Sequence, residues 1–443
     1  MANLSDTIVA AATPPGAGGI GVVRISGEMT EAIAAKLLGE LPAPRVAAYR
    51  IFTNEAGQKL DAGLALYFPA PASFTGESVL ELHGHGGPMV IESLIEAAVA
   101  VGARRAEPGE YSQRAFLNNK LDLAQAEAIA DLINAGTSQA ARAALRSLSG
   151  AFSSAVNDLA EMLVRLRIHV EAAIDFPEEE IDFLSDRVLL QRLDECDTAF
   201  ALLREQAKQG RVLRDGFQVV IVGKPNAGKS SLMNRLSGEE TAIVTEFAGT
   251  TRDILREQID IDGLAVELVD TAGLRANPDR IEAEGIRRAR KALEAADAVL
   301  WIKDATQLDD DGIDETIPAG ATLTIVYNKT DLCETPPVAT TGALLISAKT
   351  GEGLDDLRTE LRRLAGYESQ GEGAFTARKR HLEALDRASE HFSVGRSALL
   401  ASRAGEILAE ELRQSHAALG EITGAMSSDD LLGRIFSEFC IGK

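Results

Sequence analysis

The stretch G-K-P-N-A-G-K-S, from Gly223 to Ser230, follows the apolar run Val219–Val222 and precedes S-L-M-N-R-L. This order predicts a strand, a glycine loop and a helix. The two glycines let the backbone turn so that successive N–H groups point at phosphate oxygens. Lys229 adds a positive charge at the β- and γ-phosphates, and Ser230 offers a hydroxyl to Mg²⁺. The alternative, an ordinary glycine turn, leaves the motifs that follow unexplained.

Four further motifs follow in the order of a guanine-nucleotide-binding domain. G-T-T-R-D at 249–253 supplies a switch threonine, Thr251, for the Mg²⁺ shell. D-T-A-G at 270–273 ends an apolar strand; its aspartate can hold Mg²⁺ through water, and its glycine N–H can meet the γ-phosphate. N-K-T-D at 328–331 ends with an aspartate that can accept hydrogen bonds from guanine N1 and N2, and S-A-K at 347–349 suits guanine O6. Together with the glycine loop, these motifs predict a Ras-like P-loop GTPase domain.

The predicted GTP-binding residues come from these five motifs and from Thr245, in the loop before the second motif. They are Asn226, Ala227, Gly228, Lys229, Ser230, Ser231, Thr245, Thr250, Thr251, Asp270, Thr271, Ala272, Gly273, Asn328, Lys329, Asp331, Ser347, Ala348 and Lys349. The predicted Mg²⁺ ligands are Ser230 and Thr251, with Asp270 acting through water. Lys229 and Thr251 are also predicted to be catalytic.

The chain as a whole resembles the MnmE (TrmE) family of bacterial GTPases, which act in the modification of the tRNA wobble uridine. The resemblance runs from D-T-I-V at 6–9 through A-A-T-P-P-G at 11–16 to the tail F-C-I-G-K at 439–443. The tail is the most specific part of it, because general GTPases of this branch lack it.

The GTPase motifs depart from Ras-like proteins at Leu274, which stands where those proteins carry the glutamine that orients the attacking water. Two substitutes are predicted. One is K⁺, held by Asn226 and by carbonyls of the switch loop around Thr245, Phe247 and Thr250. The other is Glu282, which matches the family's catalytic glutamate; from the sequence alone, a solvated helix carboxylate is the plainer interpretation.

Residues 1–118 have the pattern of a mixed α/β domain with short strands separated by Pro and Gly clusters. G-A-G-G-I-G at 16–21 matches a dinucleotide-binding pattern, but a strand-like run follows it, which favours a tight turn. H-G-H-G-G at 83–87 offers two histidines without further zinc ligands, so a turn is again predicted.

By resemblance, residues 1–118 are similar to the folate-binding part of the glycine-cleavage aminomethyltransferase. The resemblance implies that this domain dimerises and holds a 5-formyl-tetrahydrofolate-type one-carbon donor. The matching positions are Arg24, Glu81, Lys120 and, in the tail, Lys443, with Cys440 as a further candidate. Taken alone, the charged residues are ordinary surface charges and Cys440 is a partly buried thiol.

From Leu121 onward, apolar residues recur at helical spacing, and helical runs resume after the GTPase motifs. The predicted fold class is a multidomain α/β plus all-α protein. It has a folate-binding-type α/β domain at 1–118, a helical domain in two parts at 119–210 and 376–443, and the GTPase domain inserted at 211–375. Gln209–Gly216 is predicted to be a short link into the inserted domain.

The composition of the chain limits which partners it can bind and in which compartment it can work. The 443 residues carry a net charge of −22, so broad contact with a phosphate backbone is not expected. The three cysteines are widely spaced, which fits a reducing compartment. No stretch approaches the roughly 18 apolar residues of a membrane span, and a cytoplasmic protein is predicted.

The resemblance implies a homodimeric GTPase that works with the flavoprotein MnmG (GidA) on the wobble uridine and contacts tRNA mostly through that partner. The alternative is a GTP-dependent switch protein for ribosome assembly. Such proteins usually append a compact basic RNA-binding module, whereas this chain is acidic and begins with an α/β domain.

Overall fold

The computed structural model describes residues 6–175, 187–239, 256–270, 293, 296–307, 322–335, 342–366, 374–425, 429–437, 439 and 442. The chain forms two compact units. The first comprises Met1–Ala130, Val156–Pro177 and His391–Lys443, and the second comprises Asp131–Ala155 and Glu178–Glu390. Within the described ranges, none of the helices has the length and apolar character needed to span a bilayer.

The N-terminal part of the first unit is a six-stranded sheet with the order β3-β4-β5-β2-β1-β6. Its strands are β1 (Ile8–Ala11), β2 (Gly18–Ser26), β3 (Ala48–Thr53), β4 (Lys59–Phe68), β5 (Val79–Gly86) and β6 (Arg104–Arg105). Helices α1 (Thr30–Leu38) and α2 (Pro88–Ala100) pack on one face, and helix α3 (Glu110–Leu117) follows β6. Every second residue of the central strands enters the core, for example Val23 and Ile25 of β2. The mixed α/β prediction is therefore confirmed.

The turn predicted at H-G-H-G-G is wrong, because 83–86 belong to strand β5. The glycines there serve close packing between strands rather than chain reversal. A Cβ on Gly86 would lie 2.7 Å from the Gly18 carbonyl oxygen, and a Cβ on Gly84 would lie 2.4 Å from the Asp61 carboxylate. The first turn is also shorter than predicted, because β2 already begins at Gly18.

A short C-terminal helix, α12 (Asp429–Ser437), completes a small apolar cluster in the first unit. Phe436 packs against Phe116 of α3, with ring centroids 6.4 Å apart, and against Phe439 at 5.4 Å. Ile435 and Phe439 are buried, and Leu431 packs against the same cluster, so one face of the helix is apolar.

The remaining helices run through the middle and the end of the chain. They are α4 (Leu123–Ile133), α5 (Ser138–Leu148), α6 (Ala151–Asp175), α7 (Arg187–Asp215), α8 (Lys229–Glu239), α9 (Leu354–Leu364), α10 (Lys379–Ser402) and α11 (Gly405–Thr423). α4, α6 and α10 each cross from one compact unit to the other along the chain. The predicted domain boundaries stay a prediction.

The link predicted at Gln209–Gly216 is wrong, because α7 is a continuous 29-residue helix that ends only at Asp215. Val212 and Leu213 are buried and continue its apolar face. Gly210 does not break the helix. Instead it admits the chain that returns from the GTPase motifs, since a Cβ there would lie 2.3 Å from the Phe375 carbonyl oxygen.

The second unit holds another six-stranded sheet, with the order β12-β11-β10-β7-β9-β8. Its strands are β7 (Phe217–Gly223), β8 (Arg256–Ile261), β9 (Leu264–Asp270), β10 (Ala298–Asp304), β11 (Thr322–Asn328) and β12 (Leu344–Leu345). Neighbouring strands pair in parallel except β8 and β9. Because the carboxyl ends of parallel strands share one edge, the last residues of β7, β9, β10 and β11 lie together there.

A buried ionic cluster stabilises the N-terminal sheet. The Arg114 side chain has no exposed surface and donates to Asp6, Glu77 and Glu110, and Arg104 donates to Asp6 and Glu110 as well. Burial favours the neutral carboxyls, but hydrogen bonds from the two arginines outweigh it and lower the pKa of Asp6 and Glu110 below the usual range. The ion pairs therefore stabilise the fold above about pH 4–5 and lose this effect as the pH falls through the depressed pKa values.

Arg114→Met is expected to lower the free energy of unfolding of this region by about 3–5 kcal/mol, because it leaves buried carboxylates without their cation. Hydrogen–deuterium exchange of peptides that cover 6–12 and 110–117 measures this locally. Arg50→Met is the matched control, because Arg50 has a 3.7 Å ion pair with the exposed Glu40 and an exposed hydrogen bond to the Tyr49 carbonyl oxygen. Its effect should stay within about 0.5 kcal/mol. Unchanged exchange in Arg114→Met would contradict the role of the cluster.

Candidate nucleotide-binding site

The loop between β7 and α8 has the geometry that its sequence predicts. Gly223 has φ 152°, and a Cβ there would lie 2.3 Å from the Ile302 carbonyl oxygen of β10. Gly228 has φ 94°, and a Cβ there would lie 2.1 Å from Asn328 Nδ2. Both positions exclude any side chain for two separate reasons, the backbone conformation and the neighbouring strand. Asn226 adopts the left-handed conformation between them, with φ 65°, and is exposed.

Lys229 begins α8, and its ammonium group lies across this loop. Its Nζ donates to the carbonyl oxygens of Gly223 at 2.8 Å and Lys224 at 2.9 Å, and the residue is 5 % exposed. The positive charge is thus placed beside the N-terminus of a helix, where anionic phosphate is favoured.

The donor set at this edge of the sheet fits Mg²⁺. Ser230 stands in the first turn of α8, and Asp270 ends β9 in register with Ile221 of β7. Hydroxyl and carboxylate oxygens are the ligands that Mg²⁺ prefers. Ser230 is therefore the described hydroxyl beside the glycine loop that suits Mg²⁺, and the backbone of Asp270 ends β9 at the same edge of the sheet.

Asn328 joins three loops of the site through its buried side-chain amide. Its Nδ2 donates to the Ala227 carbonyl oxygen at 3.0 Å, and its Oδ1 accepts from the Ala348 N–H at 2.9 Å. The residue is 2 % exposed, so neither backbone group has water as an alternative partner. The glycine loop and the loop after β12 are therefore fixed relative to the end of β11.

Asp331 and Ser347 form the part of the site that suits a guanine base. Ser347 Oγ donates to Asp331 Oδ1 at 2.7 Å and accepts from the Thr350 N–H at 3.1 Å. The carboxylate is thus oriented by a buried serine, which leaves it able to accept from the N1 and N2 groups that guanine offers and adenine does not.

Lys329, between Asn328 and Asp331, has the left-handed conformation with φ 70°. Its Nζ lies 2.6 Å from Asp304 Oδ2, at the end of β10. Burial raises the pKa of Asp304, but hydrogen bonds from Lys329 and Thr306 outweigh this effect and hold it below the usual range.

Part of the predicted site lies outside the described residues. This holds for Thr245, Phe247, Thr250, Thr251, Thr271, Ala272, Gly273, Leu274 and Glu282, and in the tail for Cys440 and Lys443. The remaining GTP-binding candidates converge on the carboxyl edge of the second sheet.

Two of the predicted folate-binding residues, Arg24 and Glu81, meet in the first unit. Arg24 Nε donates to Glu81 Oε1 at 2.9 Å, and His83 Nε2 lies 3.1 Å from Glu81 Oε2. Arg24 Nη1 also approaches the Gly442 carbonyl oxygen at 3.5 Å, which brings the C-terminal tail to this cluster. Lys120 makes a different contact, because its Nζ donates to the Pro71 carbonyl oxygen at 2.9 Å.

Three residues near these sites lie outside the sequence motifs. The Arg24 guanidinium lies over the rings of Phe74, at 5.9 Å, and Tyr111, at 5.8 Å, and nothing in the sequence links these aromatics to Arg24. Asp304 had a signal, because it ends an apolar strand as Asp270 and Asn328 do.

The sheet order, the glycine loop and the Asn-Lys-Thr-Asp strand end define a P-loop GTPase, and the chain is a GTP hydrolase. The family model "GTP-binding protein TrmE N-terminus" matches residues 7–120, and the model "MnmE helical domain" matches residues 123–440. The chain is 54% identical over 453 residues to "tRNA modification GTPase MnmE" of Pseudomonas syringae pv. tomato, covering 99% of both chains. The chain therefore belongs to the MnmE family of tRNA modification GTPases.

Solved structures with partial similarity include Era from Aquifex aeolicus bound to GDP·AlF4−, with 28% identity and a TM-score of 0.27. That match covers 39% of this chain and 66% of the Era chain. The G domain of the T. maritima FeoB iron transporter is 21% identical with a TM-score of 0.26, covering 34% of this chain and 98% of that one. The family assignment rests on the family models and the Pseudomonas relative.

Asn328→Ala is expected to weaken GDP binding by at least about tenfold, because it leaves the buried Ala227 carbonyl and Ala348 N–H unpaired at about 1–3 kcal/mol each. Titration of a fluorescent GDP analogue measures the affinity. Asn54→Ala, in the turn between β3 and β4, is the control and should bind as wild type does. An Asn328→Ala affinity within twofold of wild type would show that the amide is dispensable.

Proposed function

We propose that this chain works as a homodimer with a flavoprotein of the MnmG (GidA) type. The pair would use GTP hydrolysis and a folate one-carbon unit to add an aminomethyl or carboxymethylaminomethyl group at C5 of the tRNA wobble uridine. The observation that carries the proposal is the Arg24–Glu81 cluster with the Gly442 carbonyl beside it, in a chain of a tRNA modification family.

The chemistry of this cluster suits a folate of the 5-formyl-tetrahydrofolate type. A pterin has a guanidine-like edge that pairs with a carboxylate, and Glu81 can exchange its Arg24 partner for that edge. The freed guanidinium, together with Lys443 and Lys120, can then pair with folate carboxylates. Glu81 and Arg24 are 16% and 22% exposed, so the exchange needs no unfolding.

An exposed apolar face on the N-terminal sheet supports the homodimer. Tyr49 and Ile51 of β3 alternate with Phe52, which lies in the core, and Leu64 of β4 pairs with Tyr49. Tyr49 is 68% exposed, Ile51 49% and Leu64 43%. α1 and α2 cover the opposite face, so a second copy of the sheet is the partner that this face suits.

The net charge of −22 supports delivery of tRNA by the partner. An acidic chain gains little from counterion release on a phosphate backbone. A flavoprotein with a basic surface would supply that attraction, and the present chain would contact the tRNA only near the uridine. The proposed location is the cytoplasm, where tRNA, folate and GTP are all present.

A strain that lacks this chain is expected to lose C5-modified wobble uridine, and the wild-type gene should restore it. Glu81→Ala should fail to restore it although it hydrolyses GTP normally, because the cluster and the nucleotide site lie in different units. Mass spectrometry of tRNA nucleosides measures the modification, and calorimetry with 5-formyl-tetrahydrofolate measures folate binding.

Glu55→Ala, an exposed carboxylate in the β3–β4 turn, is the matched control and should restore modification fully. Full restoration by Glu81→Ala would overturn the folate site. Unchanged tRNA nucleosides in the deletion strain would overturn the proposed reaction.

The hydrolytic step needs a substitute for the glutamine that Leu274 replaces. The proposed K⁺ ligands are Asn226, which lies in the exposed left-handed turn of the glycine loop, and the carbonyls of Thr245, Phe247 and Thr250. K⁺ bound there would supply positive charge near the β- and γ-phosphates. Glu282 would orient the attacking water, and Ser230 and Thr251 would hold Mg²⁺.

GTP turnover is expected to be faster in K⁺ than in Na⁺, and Asn226→Ala should abolish the difference by removing a K⁺ ligand. Glu282→Ala should lower kcat by about 100-fold or more while GTP affinity is retained, the usual size for a lost water-orienting group. Phosphate release at saturating GTP measures both. Asn234→Ala, on the exposed side of α8, is the control.

Equal turnover of the wild type in the two salts would contradict the K⁺ site. Normal hydrolysis by Glu282→Ala would contradict the role of that carboxylate.

A further inference from the structure

We propose that Asp304 is a positioning residue for guanine-nucleotide binding, which acts through Lys329 and fixes one wall of the base site. The inference rests on the proposed assignment of Asn328, Lys329 and Asp331 as base-binding residues. Asp304 lies outside the five GTPase motifs.

The contact between Asp304 and Lys329 is short and partly shielded from solvent. Lys329 Nζ lies 2.6 Å from Asp304 Oδ2, and the two side chains are 31% and 16% exposed. A charge-assisted hydrogen bond of this length is stronger than a neutral one. The lysine ammonium therefore has a preferred partner before any nucleotide arrives.

The carboxylate of Asp304 is itself held in place, so it can orient another group. Its Oδ1 accepts from the Thr306 N–H at 2.9 Å and from Thr306 Oγ1 at 2.7 Å. The backbone is fixed as well, because Asp304 pairs with Asn328 across β10 and β11, and the Ala305 N–H donates to the Asn328 carbonyl oxygen at 2.8 Å. Only Oδ2 is directed at the lysine.

Lys329 leaves the end of β11 in the left-handed conformation and begins the short 3₁₀ turn Thr330–Leu332 that carries Asp331. The backbone and the Asp304 contact thus fix both ends of the Lys329 side chain. Its methylene stem then lies as a preformed apolar strip next to the carboxylate that pairs with the base. A flat base that stacks on this strip finds it already ordered, so less side-chain entropy is lost on binding.

Asp304→Asn separates this role from a purely structural one. The amide oxygen can still accept from Thr306, so the turn is kept, but the negative charge opposite Lys329 is lost. Lys329→Met keeps most of the apolar stem and removes the ammonium. If Asp304 acts through Lys329, the double variant should be no weaker than the weaker single variant, because both changes remove the same contact.

The test is equilibrium binding of a fluorescent GDP analogue to the full chain, together with steady-state GTP hydrolysis. Asp304→Asn is expected to weaken binding by about tenfold and to raise KM by a similar factor, with kcat changed less than about twofold. Asp262→Asn is the matched control. Asp262 lies in the β8–β9 turn, at the end of the sheet opposite the nucleotide site, and has an ion pair of 2.8 Å with Arg362. Its substitution should leave KM unchanged.

Wild-type affinity in Asp304→Asn, or additive losses in the double variant, would overturn the proposal. Should Asp304→Asn fail to fold, Lys329→Met decides alone: wild-type affinity there overturns the proposal, and a loss near tenfold supports it. Asp331→Asn tests the base site separately. If it leaves GDP affinity unchanged, the assignment of the site is wrong, whereas if it weakens binding and Asp304→Asn does not, only this inference fails.

Discussion

The nucleotide site depends on one buried side-chain amide. Asn328 donates to the Ala227 carbonyl and accepts from the Ala348 N–H, so three loops that are far apart in sequence form one surface. The same amide explains the sequence around it, because its nitrogen occupies the space that a side chain at Gly228 would need. The glycine is thus required by a contact with a residue one hundred positions along the chain, as well as by the phosphate that it would approach.

The two ionic clusters of the first unit differ in how deeply their arginines are buried, and this difference suits them to different roles. Arg114 is fully enclosed, and each of its partners is another charged or carbonyl group of the fold, so its pairs stay closed in the native state. Arg24 and Glu81 are paired at similar distances but remain partly exposed beside two aromatic rings. The same kind of ion pair therefore stabilises the fold around Arg114, whereas the partly exposed Arg24–Glu81 pair can exchange partners.

The sequence predicted the sheets, the phosphate loop and the C-terminal helix, because strand and helix periods and glycine spacing are local signals. The predictions of a turn and of a link were wrong where a glycine allows close packing instead of reversing the chain. Gly86 lies within strand β5, and Gly210 lies within α7. Which neighbour approaches a glycine is decided by the tertiary fold, and that neighbour leaves no mark nearby in the chain. The contact between Asp304 and Lys329 was hidden for the same reason, because it depends on the register of β10 and β11.

The close approach of Gly210 to Phe375 means that the chain leaves the helices and returns to them at almost the same point. Ser147 reinforces this junction by hydrogen bonds with both backbone groups of Thr376. A segment whose two ends lie close together hardly constrains the packing of the helices that flank it, as is also true of a surface loop. The helices on either side can therefore pack at the spacing that their own apolar faces require, whatever the length of the segment between Gly210 and Phe375.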